Sequence, residues 1–189
     1  RGAFVAAAAR GTGAAALWRL DIGSELVWVG DEGATEAREA TARTGVELES
    51  RARVLPWLYA DADLTWSRAR FTESGDPVPL APGWTASAGV AFERGGVFAS
   101  LRARHLGDRP AAEDRSLTAQ GYTVVDASAA YRWRNLEARV DASNLLDAAW
   151  REAQFANASR LAGEPGAVDD IHFVPGSPRM FQAVLRASF

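Results

Sequence analysis

Cysteine and lysine are absent from the 189-residue chain, and histidine occurs only twice, as His105 and His172. Without cysteine there is no disulfide framework, no thiol nucleophile and no zinc–thiolate site. Without lysine every basic residue is an arginine. The formal net charge of -3 and the lack of a long basic run argue against a general nucleic-acid binder. No run approaches the ~20 apolar residues of a membrane-spanning helix, and Ala6 to Ala9 is far too short for one. No helical period of useful length appears, which argues against α/β architectures. A G-x-S-x-G elbow is missing, and a Ser-His-Asp site would need a convergence for which the chain offers two histidines. No enzyme activity and no cofactor are expected. The chain opens on Arg1 with no signal peptide, so an exported protein would have its true N-terminus upstream.

What is present is alternation. In W-R-L-D-I-G-S-E-L-V-W, Trp18, Leu20, Ile22, Ser24, Leu26 and Trp28 fall on one face of an extended strand, and Arg19, Asp21, Gly23, Glu25 and Val27 on the other. Ten residues at about 3.3 Å each, tilted about 40°, rise roughly 25 Å, the height of the apolar band of a transmembrane β-barrel with aromatic girdles at its edges. On this reading Trp18 and Trp28 mark the two edges.

The pattern recurs. Val46, Leu48, Ser50 and Ala52 oppose Glu47, Glu49, Arg51 and Arg53; Leu58, Ala60, Ala62, Leu64 and Trp66 oppose Tyr59, Asp61 and Asp63. Further runs start at Trp84, Val97, Tyr122, Leu136 and Phe181, and Gly2 to Ala9 is one more candidate, with Arg10 to Gly13 as its turn. The total is eight or nine strands. Connections alternate short and long: Arg10 to Gly13, Gly30 to Ala42, Leu55 to Trp57, Thr72 to Gly83, Arg94 to Gly96, Asp108 to Gly121, Arg134-Asn135, and an irregular stretch from Ala148 to about Ser177. Short turns at one end and long loops at the other are the habit of up-and-down outer-membrane barrels. A soluble sandwich or lipocalin-like barrel also alternates. Three features favour the membrane barrel: a heavily charged polar face, apolar-face aromatics near strand ends (Trp18, Trp28, Trp66, Trp84, Tyr131 and Trp133), and the sustained short/long rhythm. The fold class expected is all-β, an antiparallel up-and-down transmembrane barrel segment.

Four stretches resemble one family. S-N-L-L-D, Ser143 to Asp147, resembles the N-L-F-D signature near the C-terminus of TonB-dependent outer-membrane receptors, with Asn144, Leu145, Leu146 and Asp147 as the motif. P-R-M-F-Q-A-V-L-R-A-S-F, Pro178 to Phe189, resembles their last strand. G-V-E-L-E-S-R, Gly45 to Arg51, and Tyr122 to Trp133 resemble further strands of the same barrels. The resemblance implies that residues 1–189 are the C-terminal part of a barrel that closes about 22 strands around an N-terminal plug. The plug and the segment that contacts TonB would lie outside this chain. It implies energised uptake of a scarce extracellular ligand, siderophore-like or another nutrient, in the bacterial outer membrane. It also makes the final strand, through Phe181 and Phe189, the signal read by the outer-membrane assembly machinery. An eight-stranded autonomous barrel with a structural or adhesion role is the alternative, and a soluble all-β binding module the third.

The long loops are the candidate ligand surfaces, with Arg151, Arg160, Asp169, Asp170 and His172 as possible contacts. V-D-D-I-H-F invites a metal reading through Asp169, Asp170 and His172, but three ligand-type residues so close together are common by chance, and a solvated outer loop is preferred. Glu47, Glu49, Arg51, Arg53, Asp61, Asp63, Arg102 and Arg104 fall on the polar face, as a plug dock or simply as a wet interior with cross-strand pairs.

Overall fold

The computed structural model describes the backbone of residues 2–8, 10–29 and 34–188, and side chains at 10–24, 26 and 38–188. Fifteen strands occur among these residues: β1 (Gly2–Ala8), β2 (Gly11–Ile22), β3 (Glu25–Val29), β4 (Ala34–Arg38), β5 (Thr41–Leu55), β6 (Leu58–Phe71), β7 (Trp84–Arg94), β8 (Val97–Leu106), β9 (Arg109–Pro110), β10 (Thr118–Ala119), β11 (Tyr122–Trp133), β12 (Leu136–Ser143), β13 (Arg151–Ser159), β14 (Val168–Pro175) and β15 (Met180–Ala187). Nine of them form one antiparallel meander in the order β1-β2-β5-β6-β7-β8-β11-β12-β15. Among the described residues β1 pairs only with β2 and β15 only with β12, so the sheet is an open segment of a barrel wall.

One end of the sheet carries tight turns. β5 reaches β6 through Pro56-Trp57, and β7 reaches β8 through Gly95-Gly96, whose φ angles of 61° and 81° suit the twist of a two-residue hairpin. Arg134, at φ 55°, opens the turn between β11 and β12. Each turn is tied to the neighbouring hairpin by a backbone bond: Arg53 N–H to the Arg10 carbonyl (2.7 Å), Glu93 to Trp57 (2.9 Å), Arg132 to Gly96 (2.8 Å) and Ser188 to Asn135 (2.9 Å). The expected Arg10 to Gly13 turn is tighter, because β2 already begins at Gly11.

The opposite end carries the long connections, and they are more regular than the sequence suggests. The stretch expected to be irregular from Ala148 to Ser177 contains the β13–β14 hairpin; the Asp108 to Gly121 loop contains β9 and β10; the Gly30 to Ala42 loop contributes β4 to a β3–β4 hairpin. In each case the strands pair with one another locally, outside the main sheet.

Directly opposed residues of an antiparallel pair share a face. The register therefore places Val46, Leu48, Leu64, Trp66, Trp84, Val90, Leu101, Val125, Tyr131, Val140 and Leu185 on one outward face. Glu47, Glu49, Asp61, Asp63, Arg102, Arg104 and Asp126 lie on the inward face.

That register overturns the first strand reading. Trp18 and Trp28 do not share a strand: β2 ends at Ile22, a bend at Gly23-Ser24 follows, and Trp28 belongs to the separate β3–β4 hairpin, its side chain outside those described. Nor does Trp18 face outward. It pairs with Gly45, and Leu17 pairs with Val46, so Leu17 faces outward while Trp18, Leu20 and Ile22 turn inward. Arg19 and Asp21 are the outward residues. β6 does the same at the same height: Arg68 and Arg70 face outward, and Ala69 and Phe71 inward. Phe71 and Val78, each 3% exposed, form a small core there with Ala69 and Ala81. The polarity of the wall thus inverts one row above Trp66. Below that row apolar side chains point out; above it they point in.

Candidate functional site

Two surfaces carry the chemistry: the inward face of the sheet and the loop end above it. On the inward face charges meet across strands. Arg102 Nη2 donates to both carboxylate oxygens of Asp61 at 2.8 and 2.9 Å. These residues sit two strands apart, with Gly89 of β7 between them. A Cβ at Gly89 would lie 2.8 Å from both Arg102 Nη2 and Asp61 Oδ1, so the missing side chain opens the path for the pair. Ser87 Oγ donates to Asp63 (3.0 Å), Arg51 pairs with Glu49 (2.7 Å), and Arg53 donates to the Pro56 carbonyl (2.8 Å) with its guanidinium 5.7 Å from the Tyr59 ring. Arg10, Arg51, Arg53, Asp61 and Arg102 line an open hollow of about 520 Å³ near the turn end. The polar face read from the sequence is thus a wall cross-linked by ion pairs and hydrogen bonds.

At the loop end the N-L-L-D stretch acts as a clasp. Asn144, 2% exposed and at φ 49°, donates its backbone N–H to Asp126 Oδ1 (3.0 Å). Its Nδ2 donates to the carbonyls of Ala148 (2.9 Å) and Ser177 (3.2 Å), and its Oδ1 accepts the Ala148 N–H (2.9 Å). Leu145 N–H bonds the Val125 carbonyl, while Leu146 is exposed. Asp147 accepts the Arg179 N–H (3.3 Å) and pairs with its guanidinium (3.4 Å), holding the entry to β15. Arg104 Nη2 donates to the other oxygen of Asp126 at 3.0 Å, tying the clasp to the inward charges.

A second clasp joins the loops. Buried Gln154 of β13 accepts the Gln120 N–H (2.9 Å) and donates to its carbonyl (2.7 Å). Trp150 packs tilted against the Tyr122 ring, centroids 4.8 Å apart, and donates to the Ser177 carbonyl (3.0 Å). Arg109 of β9 is buried, which lowers its guanidinium pKa, an effect opposed by Tyr122. Hydrogen bonds from Ser116 hold the Asp114 carboxyl below its ordinary pKa. No sequence signal pointed to Gln120, Gln154 or Trp150; their partners lie roughly thirty residues away and are set by the tertiary fold.

The five predicted contact residues sit on the β13–β14 hairpin or its tip but do not converge. Asp170 pairs with Asn157 and His172 with Phe155, whose rings stack at 6.0 Å; these share one face. Asp169, opposite Ala158, lies on the other face, so it cannot join Asp170 and His172 around one ion. Arg151 lies over the Phe173 ring at 4.1 Å. Arg160 donates to the Glu164 carbonyl (2.8 Å) in the tip turn. Of the aromatics, Trp66 and Trp84 are lateral neighbours 6.4 Å apart on the outward face, and Tyr131 and Trp133 lie at the turn end, where Arg134 covers the Trp133 ring at 4.9 Å. Phe181 is exposed on the outward face of β15, and Phe189 lies outside the described residues.

This geometry has close structural counterparts. The ferric yersiniabactin uptake receptor FyuA from Yersinia pestis superposes with a TM-score of 0.73 at 21% identity, over 98% of this chain and 28% of that one. The copper transporter OprC gives 0.70 at 20% identity, over 99% and 31%, and the ferric citrate transporter FecA, unliganded, gives 0.69 at 17%, over 94% and 29%. The chain thus spans about a third or less of these receptors and transporters. No curated protein matches its sequence. Residues 5–145 match the family described as TonB dependent receptor-like, beta-barrel. The chain belongs to the TonB dependent receptor-like β-barrel family.

Proposed function

We propose that this chain is the C-terminal part of the barrel of a bacterial outer-membrane receptor that imports a scarce ligand with energy delivered through TonB. The observation that carries the reading is the one-sided wall. Between the Trp66–Trp84 row and the Tyr131 row the outward face bears no Asp, Glu or Arg among the described residues, while the inward face is laced with ion pairs. Eight residue steps from Trp84 to Phe92 rise about 20 Å at a usual tilt, close to the ~25 Å apolar band of such barrels. Trp66 and Trp84 at one edge, and Tyr131 and Trp133 at the other, are the proposed interfacial girdles. The open edges at β1 and β15 favour a piece of a larger barrel, of about 22 strands, over a closed eight-stranded one.

In the whole receptor a plug would fill the barrel against the inward charges, and the TonB-contacting segment would belong to that part of the parent. The loop end would receive the ligand, with Arg151, Arg160, Asp169, Asp170 and His172 as candidate contacts. Its class is a siderophore-like complex or another nutrient, in keeping with the ferric and copper cargoes of the structural neighbours. No bond of the ligand is made or broken, so this is a transport activity, not an enzyme. The outer-membrane assembly machinery would read β15, with Phe181 and Phe189 as its signal.

The test is an immunoblot of the outer-membrane fraction, boiled and unboiled, with antibody to this segment. A heat-modifiable band several times larger than 20.2 kDa is expected. A heat-modifiable band near 20.2 kDa would instead establish a small autonomous barrel, and signal only in the soluble fraction would overturn the membrane reading.

A further inference from the structure

The row where the wall inverts its polarity carries a cluster of arginines on the outside. Leu17, Val46, Trp66 and Trp84 form one outward row across β2, β5, β6 and β7. The next row up is Arg19, Thr44 and Arg68, and the next Asp21, Ala42 and Arg70. Three guanidinium groups and one carboxylate therefore sit above that first row, Arg68 and Arg70 over Trp66 and Arg19 and Asp21 over Leu17, on strands about 5 Å apart. Arg70 is engaged with the Gly75 carbonyl. Arg19 is paired with Asp21, its Nη2 2.8 Å from Oδ1. Arg68 is exposed. The pair Arg19–Asp21 lies more than half exposed on both sides, where such a pair is weak and readily exchanged. The patch has an excess of two positive charges on a chain whose formal net charge is -3.

We propose that this row binds the phosphate of a lipid headgroup, resting on the membrane reading above. The apolar row below would face acyl chains, and tryptophans sit at headgroup level in membrane barrels, so the residues one step higher meet the headgroup phosphates. Arginine suits that partner: its planar fork binds phosphate bidentately, and its stem lies along apolar surface while the charge reaches out. Arg68 and Arg19 are two strands apart, about 10 Å, which two long side chains converging on one headgroup can span. Asp21 competes with the phosphate for Arg19 and sets the strength of the site.

The test uses the full-length parent purified from outer membranes in mild detergent. Native mass spectrometry counts the phosphate-bearing lipid retained per barrel. The Arg19→Gln/Arg68→Gln double variant is expected to retain on the order of tenfold less. Asp21→Asn is expected to retain more than the unaltered protein, a gain that poor folding would not produce. Arg186→Gln, on the inward face opposite Glu137, is expected to leave retention unchanged. A heat-modifiable barrel whose double variant holds as much lipid as the unaltered protein would overturn the headgroup site alone. So would inorganic phosphate displacing the lipid at millimolar concentration, which would mark a site for free anions. Absence of any heat-modifiable band in the unaltered parent would overturn the membrane reading and the headgroup site with it.

Discussion

At the scale of single residues, two glycines on the inward face play different parts. Gly45 lies under the ring of Trp18: a Cβ there would sit 2.5 Å from Trp18 Cζ2 and 2.7 Å from the Trp66 carbonyl oxygen, one a rigid ring and the other backbone. Gly89 meets only the ends of Arg102 and Asp61. Gly45→Ala is therefore expected to destabilise the barrel by about 1–3 kcal/mol through overpacking. Gly89→Ala should cost about 0–1 kcal/mol, since it displaces a half-exposed ion pair. The temperature at which the heat-modifiable form is lost, measured for both variants in the parent, checks the order; equal losses would mean that the Trp18–Gly45 contact is not tight. Trp18 also shows how far a lone side chain can mislead. Its aromatic character and place near a strand end suggested a membrane edge, yet its neighbours in the register put it inside.

At the scale of elements, the N-L-L-D stretch decides where the β13–β14 hairpin stands. Asn144 is held in a left-handed conformation and serves four hydrogen bonds, three of which reach the two ends of the hairpin connection at Ala148 and Ser177. Asn144→Ala is expected to take the side-chain partner from both the carbonyl and the N–H of Ala148, and to leave Ser177 held by Trp150 alone, at a cost of about 1–3 kcal/mol. The loss should be local. Limited proteolysis is expected to cut between 148 and 177 faster in the variant, while the nine-stranded sheet stays protected; unchanged cleavage would show that the Gln120–Gln154 clasp alone positions the hairpin. The motif was legible as a motif. Its mechanics were not, because Ser177 is 33 residues away and nothing local marks it as a partner.

At the scale of the whole molecule, the two faces of the wall predict opposite responses to charge. Leu64→Arg puts a guanidinium on the outward apolar face one row inside the Trp66 edge and is expected to cost about 1–2 kcal/mol if lipid lies outside. Asp63→Asn, one residue along and facing inward, removes a charge from a wet interior and should cost about 1 kcal/mol or less. Urea unfolding of the parent in lipid bilayers checks the contrast; a neutral Leu64→Arg would show that water, not lipid, meets that face. Removing Phe189 from the parent should lower the amount of assembled barrel in the outer membrane at unchanged synthesis, and an unchanged membrane yield would remove the terminal residue from the assembly signal. Each of these tests reads a property of the closed barrel rather than of any one strand.

The alternating runs of β5, β6, β7, β8, β11, β12 and β15 were all visible in the chain, with β12 matched to the residue, and so were most of the short turns; the strand total was left at eight or nine, and the sheet has nine. Period-two alternation is a local property, written by side-chain polarity along a strand that separates two environments. What alternation alone does not carry is phase. The even residues of β2 and of β5 are both the more apolar, yet they face opposite sides, since Trp18 pairs with Gly45 and Leu17 with Val46. Only the hydrogen-bonded register determines that, and a shift of one residue moves every side chain to the other face. The loop end was beyond the sequence for a related reason. Its hairpins pair at distances that local pattern does not encode, and its clasps at Asn144 and Gln154 join segments brought together only when the strands below them are already aligned.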